Sequence, residues 1–419
     1  MGTAGPKGDK GDQGEPGPKG DKGDPGEGGE AGGQGPQGEP GPQGPAGAAG
    51  DPGFLCVTAA EYAAIASPLA DRLYLIRREY TTPPGNTLPV IYAGYRNGAA
   101  VSYNDSGNAG GVWIGRQSAA DNNWFSIAWS PSLNLFCAVA YTGIGNRVMT
   151  SPDGISWASR TSAADNVWVS ISWSPSLNLF CAVSENGTGN RVMTSPDGIN
   201  WTIRTSAADN TWRSVTWSES LNLFCAVAAS GSGNRVMTSP NGITWTLRTS
   251  AADNSWRSVT WAPSLNLFCA VADSGSSNRV MTSPDGINWT LRTSAADNSW
   301  RSVTWAPSLN LFCAVADSGF LSRVMTSPNG INWTSRESPI DGTWYSVAWA
   351  PSQKLFCAVG YSDRNSGVMT SPNGINWSSR QSAYNQDWRS ITWAPSLNRF
   401  CAVAISGTTN RVMTSEPYL

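Results

Sequence analysis

Seven cysteines, Cys137, Cys181, Cys225, Cys269, Cys313, Cys357 and Cys401, stand 44 residues apart without a single insertion. So constant a spacing means that every unit meets its neighbours in the same way. Short strands and Gly turns repeating at about 40–45 residues fold as the blades of a β-propeller. Within the unit from Trp212 to Ser250, "WRSVTW", "LFCAVA", "NRVMTS" and "TWTLRTS" are separated by turn residues, which predicts four strands per blade. The fold class is therefore all-β, a seven-bladed propeller of four-stranded blades over residues 108–419. Composition agrees, since 21 Trp and only 14% charged residues describe an aromatic-packed body with a sparsely charged surface.

The tryptophans predict how the ring closes. Trp157, Trp201, Trp245, Trp289, Trp333 and Trp377 stand in the fourth strands of six units, but the last unit stops at "RVMTSEPYL" before reaching its own. Trp113, in "GVWIGRQSAADNNW", precedes Trp157 by the same 44 residues. The outer strand of the last blade is thus expected from the N-terminal side of the domain, which joins both ends of the ring in one sheet. The mid-strand cysteines occupy like places around a ring, too far apart to bridge, and are expected as packed thiols.

A different polymer precedes the ring. Gly occupies every third position from Gly2 to Gly53, 18 in all, with Pro frequent between them. This resembles collagen, whose three wound strands leave room at the axis only for a residue without a side chain. The resemblance implies a triple-helical stalk over residues 1–53, roughly 150 Å long at about 3 Å per residue, and a homotrimer. Lys7-Gly8-Asp9, Lys10-Gly11-Asp12, Lys19-Gly20-Asp21 and Lys22-Gly23-Asp24 place opposite charges for pairing between staggered strands, in place of hydroxyproline.

Residues 54–107 are expected to form a small α+β neck that sets the register of the stalk. Thr58-Ala59-Ala60-Glu61 fits a capping box opening a helix through "AAEYAAIAS" that Pro68 closes; "DRLYLIRR" and "TLPVIYAGY" follow as strands. Cys56 is placed either to link chains or to remain a buried thiol. The segment "VTAAEYAAIASPLADRLYLI" resembles one found in phage tail-fibre and related virion proteins. Likewise "SPDGINW" (Ser195 to Trp201) and its five counterparts resemble the Asp-box of neuraminidase-type repeats, with one residue fewer between Asp and Trp. Asp153, Asp197 and Asp285 alternate there with Asn241, Asn329 and Asn373, so a charge is dispensable and the residues are expected to shape a turn.

Several function classes are disfavoured. The net charge of −2 leaves no electrostatic footprint for nucleic acid, and no stretch is long and apolar enough for membrane insertion. Met1 leads straight into Gly2-Thr3-Ala4-Gly5 without the basic and apolar regions of a signal peptide, so none is expected. The chain has no His, the commonest general base and metal ligand. Arg116, Arg160, Arg204, Arg248, Arg292, Arg336 and Arg380 recur once per unit and imply a packing or hydrogen-bonding role, unlike the arginine triad and tyrosine nucleophile of a sialidase. No catalytic residue, metal site or cofactor is expected, and the chain is not read as an enzyme.

Binding suits repetition better. The loop joining second to third strands varies most: "YTGIG", "SENGTG", "AASGSG", "ADSGSS", "ADSGFL", "GYSDRNS" and "AISGTT". The loop entering each blade shares that face and carries Asp121, Asp165, Asp209, Asp253, Asp297 and Asp341, followed by Trp124, Trp168, Trp212, Trp256, Trp300, Trp344 and Trp388. Carboxylates beside aromatic rings suit saccharides, which offer hydroxyls at the edge and C–H groups on the face. The same residues equally serve a plain structural role, Asp capping the loop and Trp packing between blades. Rod, neck and head together resemble a phage or viral fibre. The implied function is multivalent binding of a host-surface glycan or receptor from a virion, with other virion proteins held at the N-terminal end. The alternatives are a structural virion or spore-surface decoration protein and a glycan-active enzyme.

Overall fold

The computed structural model describes residues 112–362 and 366–416, together with the backbone of four strands between 54 and 103. Among these residues there is no α-helix, and every blade is a four-stranded antiparallel sheet, in chain order in all but the last. Blade 3 is typical, with strands Trp212–Ser218, Leu223–Ala228, Val236–Ser239 and Thr246–Arg248. The fourth strand is shorter than its sequence suggests for a local reason. Asn241 Oδ1 accepts the N–H groups of Ile243 and Thr244, both at 2.9 Å, and so draws the start of the segment into the turn.

Each hydrophobic core lies between blades. In the second strand of blade 2, Cys181 and Val183 face blade 3 and pack with Trp212, Val215, Trp217 and Phe224. Their alternate neighbours Phe180 and Ala182 face the other way, toward Cys137 and Val139 of blade 1. Period-two alternation in a strand apolar on both faces therefore feeds two cores at once, and no blade buries its own surface alone. The seven repeated cysteines are buried and unbridged, as their spacing implied. Burial pushes each thiol far above its ordinary range. We expect these thiols to resist Ellman's reagent in the native ring and to react together on unfolding; reaction of any of them at neutral pH without denaturant would show an open core.

The first strands of adjacent blades pack against each other to form the inner wall, and a closed circuit of hydrogen bonds joins them. The Ser214 hydroxyl accepts the N–H of Val259 at 3.1 Å, Ser258 that of Val303, Ser302 that of Val347 and Ser346 that of Ile391. The circuit continues through Ser390 to Ile127, Ser126 to Ile171 and Ser170 to Val215. It thus runs unbroken across the junction of the chain ends.

That junction is built as the tryptophan count predicts. Trp113–Arg116 pairs antiparallel with Val412–Ser415, completing the blade of Trp388–Ala394 and Arg399–Ala404. Trp113 is buried and stacks on Phe400 with ring centroids 6.3 Å apart. Between residues 54 and 103 a separate sheet runs Phe54–Thr58, Leu73–Arg77, Tyr92–Arg96 and Ala99–Tyr103, the first pair parallel and the others antiparallel. Thr58 ends a strand there; the helix expected beyond it, and residues 1–53, lie outside the described residues. Deleting Gly111 to Arg116 should lower the melting temperature sharply in calorimetry, and Trp113→Ala alone should cost about 3–5 kcal/mol. A wild-type melting temperature for the deletion would rule out this closure.

Candidate functional site

The loops entering the blades strap neighbours together. Asp209 Oδ1 accepts the N–H of Gly189 in blade 2 at 2.7 Å, while the next residue, Asn210, donates through Nδ2 to the carbonyl of Asn234 in blade 3 at 2.8 Å. Asp165, Asp253, Asp297 and Asp341 accept in the same way from Gly145, Gly233, Ser277 and Leu321. Asp121 bonds the N–H of Thr409 across the chain junction. Arg147, Arg191, Arg235, Arg279, Arg323 and Arg411 pair with these carboxylates, which still leave 42–45% of their side-chain surface open. The shared bonds place these loops and those between second and third strands on one face.

The tryptophans of the same loops lie elsewhere. Trp124, Trp168, Trp212, Trp256, Trp300, Trp344 and Trp388 are all 0% exposed. Most spend their indole N–H on the carbonyl four residues earlier, as Trp168 does on Ala164 at 3.0 Å. Stacking on a ligand needs a ring face in solvent, and these rings present none. The structure therefore brings Asp and Trp into one loop but not onto one surface, and the structural role weighed for them in the sequence is the one the indoles fill. A cavity of about 480 Å³ on this face is lined by Arg323, Asp341, Thr343 and Tyr361.

The remaining recurrent residues are structural. Each repeated arginine donates through Nε to a threonine on the third strand of its sheet at 2.9–3.0 Å, from Arg160 to Thr150 through Arg380 to Thr370, with Arg116 reaching Thr414. In the turn at Ser195 to Trp201, Asp197 Oδ1 accepts from Ile199 and Asn200, both at 2.8 Å. Gly198 takes a φ of 72° there, which a side chain would resist. Partial burial alone would raise the Asp197 carboxyl, but the N–H groups of Asn200 and Ile199 and the Ser195 hydroxyl outweigh it and hold the pKa at about 2. Asn241 makes the same two backbone bonds at 2.9 Å without a charge. We expect Asp197→Ala to cost about 1 kcal/mol, as loss of a capping acceptor does, and Asp197→Asn to be nearly neutral at pH 7. Because the folded pKa lies below the ordinary 3.8, the carboxylate's contribution is full above that value and fades as pH falls toward about 2. Acid titration of wild type against Asp197→Asn measures it, and parallel curves would refute it.

Sequence reasoning missed a second constellation. The residue after each buried tryptophan is an extra one in the pairing of first and second strands, for example Arg213 between the pairs Trp212↔Ala228 and Ser214↔Val227. Such a bulge re-aims a side chain, and here it sits on the inner wall. The seven positions hold Phe125, Val169, Arg213, Arg257, Arg301, Tyr345 and Arg389, so the ring's symmetry ends at its mouth. Arg213 pairs with Glu185; Arg257 meets Asp273 at 2.5 Å; Arg301 bridges Asp273 at 2.9 Å and Asp317 at 2.6 Å. Across the mouth, the Arg389 guanidinium lies 3.8 Å from the centre of the Tyr345 ring and 5.9 Å from that of Phe125, and bonds Asp387 at 2.7 Å. Burial, then the neighbouring Arg257, bring Arg213 down to about 10, so it stays charged at neutral pH. The signal was present in sequence, in the one column of the first strand where charged, aromatic and aliphatic residues exchange while the others keep to Trp, Ser or small conservative changes.

Comparison with known proteins divides at the same boundary. Residues 1–55 match the family described as Collagen triple helix repeat (20 copies). No curated protein matches the chain. Among solved structures, a GH74 enzyme of Niastella koreensis is similar at TM-score 0.57 and 14% identity, covering 72% of this chain and 53% of that one. The chain thus spans about half the length of that enzyme. The Cps50 (Swd1) β-propeller domain of Myceliophteria thermophila (TM-score 0.52, 12% identity, 71% and 97% covered) and Kuenenia stuttgartiensis hydrazine synthase (0.54, 12%, 70% and 95%) are similar too. At such identities the likeness is one of fold. The class so defined is a β-propeller protein with a collagen repeat at its N-terminus. More particularly, its ring has seven blades and is closed by a strand from the N-terminal side of the domain.

Proposed function

We propose that this chain is a trimeric fibre protein of the virion type, with the collagen repeat as stalk and the propeller as the head that grips a host-surface glycan. One observation carries the reading: the 44-residue unit keeps its length and its buried tryptophans, cysteines and wall serines, while variation is greatest on one face, in the loops between second and third strands. A purely structural disc has no use for that division. On this face Ile144 is 91% exposed and Phe320 80% exposed, large apolar side chains at loop tips where a partner would cover them. The ring of half-open carboxylates from Asp121 to Asp341 lies on the same face and supplies hydrogen-bond acceptors for sugar hydroxyls.

Three heads on one stalk turn modest contacts into firm adhesion, because binding of the second and third heads becomes intramolecular. The full chain should sediment as a trimer and be retained by microbial envelopes. Gly17→Val with Gly35→Val should break the stalk, yield monomers with an unchanged head melting temperature, and weaken retention about 10²–10⁴-fold. Equal retention of the monomer, or a wild-type chain that sediments alone, would overturn the proposal.

A further inference from the structure

We infer that the asymmetric collar at the mouth of the ring is the principal ligand site of this head, one per chain, and that it takes a neutral saccharide unit. The inference rests on the adhesive reading of this face and names where on it the sugar sits.

Three observations point there. First, the collar is where side chains differ while the backbone repeats. The bulge recurs in every blade, yet it presents Arg213, Arg257 and Arg301 on consecutive blades and Tyr345, Arg389 and Phe125 on the next three. A device that served only to close the ring would be the same each time, as the serine circuit beside it is.

Second, the charges balance. Four guanidinium groups, Arg213, Arg257, Arg301 and Arg389, are paired with four carboxylates, Glu185, Asp273, Asp317 and Asp387. With no net charge the collar has little pull on a polyanion. What it offers is a dense set of oriented N–H donors and carboxylate acceptors, held in place by their mutual pairing. Adjacent hydroxyls of a pyranose, each both donor and acceptor, match such a set. Three groups keep unused capacity: Arg213 Nε, Asp387 Oδ1 and Arg389 Nε are buried without a hydrogen-bond partner among the described residues.

Third, the two sides of the collar differ in kind. One arc is the ionic network from Glu185 to Asp317. The opposite arc is aromatic, with Phe125 and Tyr141 at 6.1 Å between ring centres and Tyr345 beneath Arg389. A hexose has the same two sides, a hydroxyl edge and a C–H face, and of these rings Tyr141 is exposed while Phe125 and Tyr345 are only partly buried, unlike the tryptophans.

The test uses the full-length chain on an array of immobilised neutral and sialylated oligosaccharides. The expected result is binding to neutral hexose glycans. Arg301→Gln should reduce it about 10- to 100-fold, as loss of a charged hydrogen bond does, and Tyr345→Ala about 10-fold, as loss of an aromatic contact does, with the melting temperature kept. Ile199→Ser, on the turn between third and fourth strands, should bind as wild type does. Should Arg301→Gln unfold the ring, Phe125→Ala takes its place beside Tyr345→Ala. Undiminished binding by the collar variants, recognition of sialylated glycans alone, or a blank array would each overturn the inference. Retention of the wild-type chain on envelopes in any of those cases would leave the adhesive reading standing, and its loss would remove both.

Discussion

Everything in the head depends on cores that belong to no single blade. Each is assembled from the second and third strands of one blade and the large aromatics of the next, so the free energy of burial is realised only when neighbours meet. A linear array would leave one such surface bare at each end. Closing the ring removes both bare ends, and the strand Trp113–Arg116 holds it closed by joining the first part of the domain to the last. Placing Trp113–Arg116 and Val412–Ser415 in one sheet joins the most separated strands of the ring.

This arrangement explains why the sequence tolerates so little change within the blade and so much in one loop. The buried tryptophans, the serine circuit and the arginine-threonine pairs each act once per blade at a fixed place, and a shift of one residue would send each core side chain to the opposite face of its blade, into a core shaped for another. The loops between second and third strands meet neighbours at their bases, through the straps from Asp209 and Asn210 and their counterparts, and at the collar, where Glu185 pairs with Arg213 and Asp273 with Arg301 of the next blade. Beyond those anchor points their side chains are free to vary.

Much of the fold was legible because its causes are periodic. The 44-residue spacing of Cys137 and its equivalents gave the number of blades, and the missing tryptophan of the last unit gave the closing strand. The site was less legible. Asp165 and Trp168 stand three positions apart in every similar loop, and nothing in their identities says that the indole turns inward while the carboxylate stays half open. Conversely, Arg213 and Tyr345 occupy one column of a strand whose alternation suggests an ordinary wall position. Only the bulge, which pairing geometry reveals and residue type does not, directs them to the mouth.

The closing strand has a mechanical consequence. Any tension transmitted along the chain from its N-terminal side enters the disc at Trp113, before it reaches another blade strand. It must then be borne by the four-residue pairing with Val412–Ser415, by the Trp113 ring against Phe400, and by Arg116, which holds Thr414 and Glu416 at 2.9 Å each. The strand that closes the ring is therefore also the point at which the disc is held.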